Sequence, residues 1–220
     1  MTASPKTAHC NKPGPSHFIE HIRRLRALSK WVLSGCPSPP PHIVKLYVIW
    51  AYLRELRLET VVETGTYLGE TTEWLARTGI NVISIELSSD LHRLATERLG
   101  RYRNIMLLQG DSGQLLPELI ASFTEPVCFW LDAHFSGGET AKGVTDTPIL
   151  QELEAILEHP IRGHVILVDD ARCFTGEDGY PFLDEVLVLV RKSGFYRAEV
   201  STDIIRITPI KEWMSQPRNY

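Results

Sequence analysis

The 220 residues carry 43% hydrophobic and 23% charged side chains, the balance of a globular chain long enough for one α/β domain with an appendage. Apolar runs are strand-length, too short for a membrane-spanning helix, and Met1 to Ser16 lacks the apolar centre of a secretory signal, so a cytoplasmic location and a disordered tail over 1–16 are expected. The net charge of −4 hides an asymmetry: residues 1–57 hold nine Lys/Arg against two Asp/Glu, net +7, leaving 14 against 25, net −11, for the rest. Cysteines at 10, 36, 128 and 173 show neither Cys-x-x-Cys spacing nor a disulfide framework and read as reduced thiols.

In the basic N-terminal part, Phe18, Ile22, Leu25, Leu28 and Val32 recur at helical spacing. After a Cys-Pro-Ser-Pro-Pro-Pro break a second helix is predicted over 42–58, and the two helices form a cap, 17–58, on a sheet. Arg23, Arg24 and Arg26 are explained by docking on the chain's own acidic domain; without aromatic-basic interleaving they do not argue for nucleic acid. The apolar, basic helices offer a homodimer contact. His17 and His21 share a helix face with only Glu20 nearby and read as solvated rather than metal-bound.

An apolar strand over 61–64 runs into Glu63-Thr64-Gly65-Thr66-Tyr67-Leu68-Gly69, and a helix follows over 70–78. Gly65 and Gly69 permit a sharp turn and close approach of a ligand to the main chain, and the helix start aims free N–H groups at it. The spacing is Gly-x-x-x-Gly, not the Gly-x-Gly-x-x-Gly that cradles a dinucleotide diphosphate, and Glu63 would repel a pyrophosphate while suiting a cationic ligand. A second strand, 81–86, ends in Glu86, 21 residues after Gly65, where a carboxylate matches two ribose hydroxyls; the alternative is a cap on the helix over 89–99. A third strand, 104–109, leads to Asp111 and Gln114, a capping-box pattern for a helix over 112–121.

The fourth strand, 126–132, places Asp132 and His134 on one side if the chain stays extended. A glycine-containing loop follows, either a substrate lid or a plain connector, and Thr147-Pro148 reads as N-cap and first position of a helix over 147–158. The fifth strand, 164–169, closes on Asp169 and Asp170, and a helix over 181–192 precedes strands at 195–200 and 203–208 joined by Ser201-Thr202. The alternation implies a Rossmann-like, doubly wound, mostly parallel seven-stranded sheet with a C-terminal antiparallel hairpin. Its ligand sites lie at the carboxyl ends of the strands, so three acids and an imidazole converge there. Adjacent buried acids need a cation, a proton or strong hydrogen bonds; a divalent metal meets that need, and so does simple capping by Asp169 or Asp170.

Glu63-x-Gly65-x-x-x-Gly69, with Glu86 behind it, resembles motif I of the class I S-adenosylmethionine-dependent methyltransferases over residues 59 to 208. The resemblance implies S-adenosylmethionine as cofactor, bound by Glu63, Thr64, Gly65, Thr66, Tyr67, Gly69 and Thr71, with Glu86 on the ribose, Asp111 and Ser112 at the adenine, and Asp132 completing the site. It makes 59–220 the methyltransferase domain. Leu131-Asp132-Ala133-His134 with Val168-Asp169-Asp170 is similar to the Leu-Asp-x-Asp and Asp-Asp signatures of metal-dependent macrolide sugar O-methyltransferases (TylF/MycF-type). That implies Mg²⁺, or Mn²⁺, on Asp132, His134, Asp169 and Asp170, with Asp132 as the base; His134 replaces the second acid of the first signature.

The activity so implied is methyl transfer to a hydroxyl of a small-molecule acceptor, with Asp132 or His134 taking the proton. Two other readings stand beside it: a catalytically silent methyltransferase-like binding module, and an NAD(P)-dependent oxidoreductase, against which Glu63 and the missing third glycine count. Acceptor specificity would come from the N-terminal helices, the 135–146 loop and Arg172 to Tyr180.

Overall fold

A computed structural model describes residues 15–132 and 148–210, with side chains from residue 22 onward. Seven helices and seven strands follow in the order α1 (Pro15–Leu33), α2 (His42–Leu56), β1 (Thr60–Thr64), α3 (Glu70–Arg77), β2 (Asn81–Glu86), α4 (Ser89–Leu99), β3 (Ile105–Gln109), α5 (Ser112–Ile120), β4 (Cys128–Leu131), α6 (Ile149–Glu158), β5 (Val165–Val168), α7 (Leu183–Ser193), β6 (Tyr196–Ser201) and β7 (Ile204–Pro209). The strands form one sheet in the order β3-β2-β1-β4-β5-β7-β6. Strands β1 to β5 pair in parallel, and β7 lies antiparallel to both β5 and β6. The chain order reverses between β1 and β4, which opens a crevice at their carboxyl ends.

Period-two alternation of side chains divides the central strands between two cores. Val62, Phe129, Leu131, Ile166 and Val168 face α5, α6 and α7 through Leu116, Ile120, Leu153, Ile156, Val186 and Val190. On the other face, Val61, Cys128, Trp130, Val165 and Leu167 meet Ile49 and Leu53 of α2 and Leu75 and Ala76 of α3. Helix α2 is therefore a layer of the sandwich: Leu46 and Ile49 are fully buried, and truncating such a side chain to alanine costs about 2–5 kcal/mol. Among the described residues, no helix is long and apolar enough to cross a membrane.

Several boundaries differ from the sequence expectation. Helix α1 begins at Pro15, inside the stretch expected to be a disordered tail; residues 1–14 and the side chains of His17, Phe18 and His21 lie outside the described set. Pro148 occupies the N-cap rather than the first position of α6, which starts at Ile149; Thr147 is not described. Helix α7 starts at Leu183, not 181, because Phe182 stays extended, bridges to Thr175 and gives its N–H to the Glu185 carboxylate at 2.7 Å. The hairpin turn is Thr202-Asp203, not Ser201-Thr202. Both residues have positive φ, 58° and 62°, the backbone that matches the twist of a two-residue hairpin. Cys36, Cys128 and Cys173 are free thiols, as expected, and burial pushes Cys128 up to about 12.

Candidate functional site

The first half of the site is the turn after β1. Gly65 and Gly69 have φ of 84° and 73°, and Tyr67 between them is also left-handed at 48°. A Cβ on Gly69 would lie 2.6 Å from Leu99 Cδ1 of α4, so this glycine serves both backbone conformation and helix packing. From behind, Arg98 donates to the Leu68 carbonyl at 2.6 Å and to Glu73 at 2.6 Å. Glu73 is held at about 2: burial opposes its charge, but Arg98, Tyr102 and Arg77 outweigh burial. The turn is thus braced by a charge cluster on its outer side.

Glu86, at the end of β2, accepts the Tyr67 N–H at 2.8 Å and the Ser88 N–H at 2.9 Å. Ser88, not Glu86, is the N-cap of α4, so the capping alternative falls and the Glu86 carboxylate instead joins the first turn to the second. Glu63 is turned inward. Its Oε2 accepts from Ser84 Oγ at 2.6 Å and from Thr72 Oγ1, and burial pushes its pKa up to about 7, with Ser84 and Thr72 only partly offsetting that. Thr66 bonds Ser84 at 2.6 Å, and Thr71 bonds His42 of α2 at 2.9 Å. Asp111 caps α5 by accepting the Gly113 N–H at 2.9 Å, which bears out the helix-cap expectation.

The second half lies at the ends of β4 and β5. The Asp132 N–H donates to the Thr64 carbonyl at 3.1 Å, and the Asp169 N–H to the Leu131 carbonyl at 3.0 Å, so ladder hydrogen bonds carry both acids to the crevice. Asp132, Asp169 and Asp170 each offer a carboxylate oxygen, and these atoms lie within 4.8 Å of one another. Asp170 is left-handed at φ 55°, the reversal that lets two consecutive side chains serve one place. A short 3₁₀ turn, Ala171–Cys173, follows, and ring contact between Phe174 and Tyr180 at 5.2 Å folds the next segment back beside the acids. His134, expected as the fourth member, lies outside the described residues.

Lys45 and Glu152, two residues that the sequence reading did not single out, complete the site, together with Arg172 from the segment expected to set acceptor specificity. Lys45 Nζ of α2 donates to Asp169 at 2.6 Å and to Asp170 at 2.9 Å, and Arg172 donates to Asp170 at 2.8 Å and to Asp203 in the hairpin turn. Burial raises the Asp169 pKa, and the neighbouring Asp132 adds to it against Lys45; for Asp170 burial is outweighed by Lys45 and Arg172, so its pKa is lowered. Burial disfavours the Lys45 charge, yet Asp169 and Asp170 hold its pKa above the ordinary value. The other addition is Glu152 of α6, 1% exposed, which burial pushes up to about 7 against the nearby Ser112 and Thr64 hydroxyls. Both had a signal: each is a charged residue on an apolar helical stripe, Lys45 with Leu46, Ile49 and Leu53, Glu152 with Ile149, Leu153 and Ile156.

The three carboxylates suit one hard divalent cation, and two of them, Asp169 and Asp170, already accept from the Lys45 ammonium. No family model and no curated protein matches this sequence. Solved structures do. The O-methyltransferase TomG from Streptomyces achromogenes, involved in tomaymycin synthesis and in complex with SAM, superposes with a TM-score of 0.53 at 18% identity over 84% of this chain and 87% of that one. The O-methyltransferase from Bacillus cereus, in complex with SAH, gives 0.52 at 17% identity over 90% and 92%. The likeness, with the strand order and the antiparallel hairpin, makes this a Rossmann-like, class I methyltransferase fold.

Proposed function

We propose that the protein moves the methyl group of S-adenosylmethionine to a hydroxyl of a small molecule. The observation that carries this reading is the shared crevice: the turn at Gly65 to Gly69, tied to Glu86 through the Tyr67 N–H, opens beside the ends of β4 and β5, where three carboxylates converge. The solved neighbours that hold SAM and SAH on this fold support the cofactor. Its contacts are then the turn residues Thr64, Thr66, Tyr67 and Thr71, Glu86 on the ribose diol, Asp111 and Ser112 at the adenine, and Asp132 near the methyl group. Glu63, bonded to Ser84 and Thr72, serves this site by holding the turn to β2 rather than by meeting the ligand.

In the reaction the bond from sulfur to the methyl carbon breaks as the bond from the acceptor oxygen forms, the sulfonium charge is lost, and the hydroxyl proton passes to Asp132 or His134. Positioning contributes on the order of 7 kcal/mol and general base catalysis about 10²–10⁴-fold. Asp132, Asp169 and Asp170, with His134, would hold Mg²⁺ or Mn²⁺, which supplies a lowered pKa to a bound hydroxyl. Tyr180, partly buried beside the acids, forms a wall of the acceptor space. A vicinal diol, the pattern of the macrolide-sugar group, is the acceptor to screen first. Leu25, Val32 and Leu33 of α1 are exposed and would supply the dimer contact.

Calorimetric titration of metal-stripped protein with S-adenosylmethionine tests the reading. Micromolar binding, weakened about 10- to 100-fold by Glu86→Ala, is expected. A folded protein that binds neither S-adenosylmethionine nor S-adenosylhomocysteine would leave a non-catalytic module.

A further inference from the structure

The acid cluster is held together by a cation from a distant part of the chain. Lys45 Nζ lies 2.6 Å from Asp169 Oδ2 and 2.9 Å from Asp170 Oδ1. Asp169 Oδ1 is engaged by the Asp170 N–H at 2.7 Å, and Asp170 Oδ1 also takes Arg172 at 2.8 Å. The side chains of Lys45, Asp169 and Asp170 are only 12%, 5% and 12% exposed, so water does little to screen these charges. The ammonium therefore takes up oxygens of two of the three carboxylates that lie close enough together to hold one divalent cation.

We infer that Lys45 is the resident counter-cation of Asp169 and Asp170 and that a divalent metal loads this cluster only by displacing the Lys45 side chain. This rests on the reading of the cluster as a metal site under the proposed function. The stem moves and the helix does not, because Leu46, Ile49 and Leu53 of α2 are buried in the sandwich. A four-carbon flexible stem permits that exchange, whereas the planar fork of Arg172, pinned between Asp170 and Asp203, stays. The arrangement keeps the three acids compatible with folding before any metal arrives, and it makes metal affinity a property of the N-terminal helices as well as of the strand ends.

Mn²⁺ titration of the metal-stripped full chain, followed by calorimetry and by the EPR signal of free Mn²⁺, tests this in wild type, Lys45→Met and Lys45→Gln. One site in each, at least about tenfold tighter in the lysine variants and abolished by Asp169→Asn, is expected. In the wild-type chain, acylation of Lys45 by an amine-directed reagent, read by mass spectrometry, should rise at saturating Mn²⁺ while that of the exposed Lys192 stays constant. Equal or weaker Mn²⁺ binding by the variants, or Lys45 labelling unmoved by bound Mn²⁺, overturns the displacement and leaves the metal reading standing. Failure of every form to bind Mn²⁺ overturns both.

Discussion

The two halves of the crevice are built in different ways. On the glycine-turn side, positions are set by backbone: two left-handed glycines, a left-handed Tyr67 and the Glu86 carboxylate bonded to N–H groups. Its inner partners Glu63, Thr72 and Ser84 come from one βαβ unit and lie no more than 21 residues apart, and the outer braces, Arg98 on Leu68 and His42 on Thr71, reach across only 30 and 29. On the acidic side, at the ends of β4 and β5, positions are set by charge. Asp169 meets Lys45 across 124 residues of sequence, and Arg172 meets Asp203 across 31. A local, hydrogen-bonded turn is preformed and tolerant of its surroundings; a network of buried ions loses its balance when any one member is removed.

The sharpest way to break the contrast is Asp169→Asn. Turnover with Mg²⁺ or Mn²⁺ should fall on the order of 10²–10⁴-fold while S-adenosylmethionine affinity stays within about threefold of wild type, because the two halves share few contacts. Steady-state rates beside a calorimetric titration read both quantities, and a parallel loss of cofactor binding would show the halves to be one unit.

Glu152 probes the floor between them. Its folded pKa, about 7, stands above the ordinary 4.5, so the native state binds more protons than the unfolded chain between those values, and the stability it contributes is lost as pH rises from 4.5 through 7. Glu152→Gln removes that ionisation. The variant should gain on the order of 1–3 kcal/mol over wild type at pH 8, and far less of that gain should remain at pH 4.5. Urea melts at both values decide it, and an equal difference at the two would show that the carboxylate is not desolvated as the fold implies.

The smallest effect is expected at the turn. In Gly69→Ala a Cβ meets Leu99 Cδ1 at 2.6 Å and the backbone is held at φ 73°, for a cost of about 1–3 kcal/mol. Gly79→Ala, at φ 90° with nothing within 4 Å, isolates the conformational part. If the two variants melt together, packing against α4 plays no role at Gly69.

The glycine turn and its tie to Glu86 were readily legible in the sequence because their signals are local: a strand, a glycine spacing and an acid at the next strand end are all visible in about 25 contiguous residues. Sequence reading also brought Asp132, Asp169 and Asp170 to one place, since strands that alternate with helices must pair in parallel and present their ends together. It missed Lys45, although the residue sits on the buried stripe of α2, because a lysine on a helix reads as solvated until its burial is known. The partners of Glu63 stayed hidden for a related reason. An acid beside a glycine turn suggests a ligand, and only the fold shows Thr72 and Ser84 closing on it.

The chain alone determined the order of strands and helices, the mixed sheet and the carboxyl-end location of the acids, because hydrophobic period and glycine conformation act over a few residues. Tertiary structure decided which charges meet. The pairing of Lys45 with Asp169 and Asp170, the tether from Arg172 to the Thr202-Asp203 turn and the burial of Glu152 all join segments far apart in sequence. Coulomb energy depends on separation and desolvation in space, and neither is written in the order of residues.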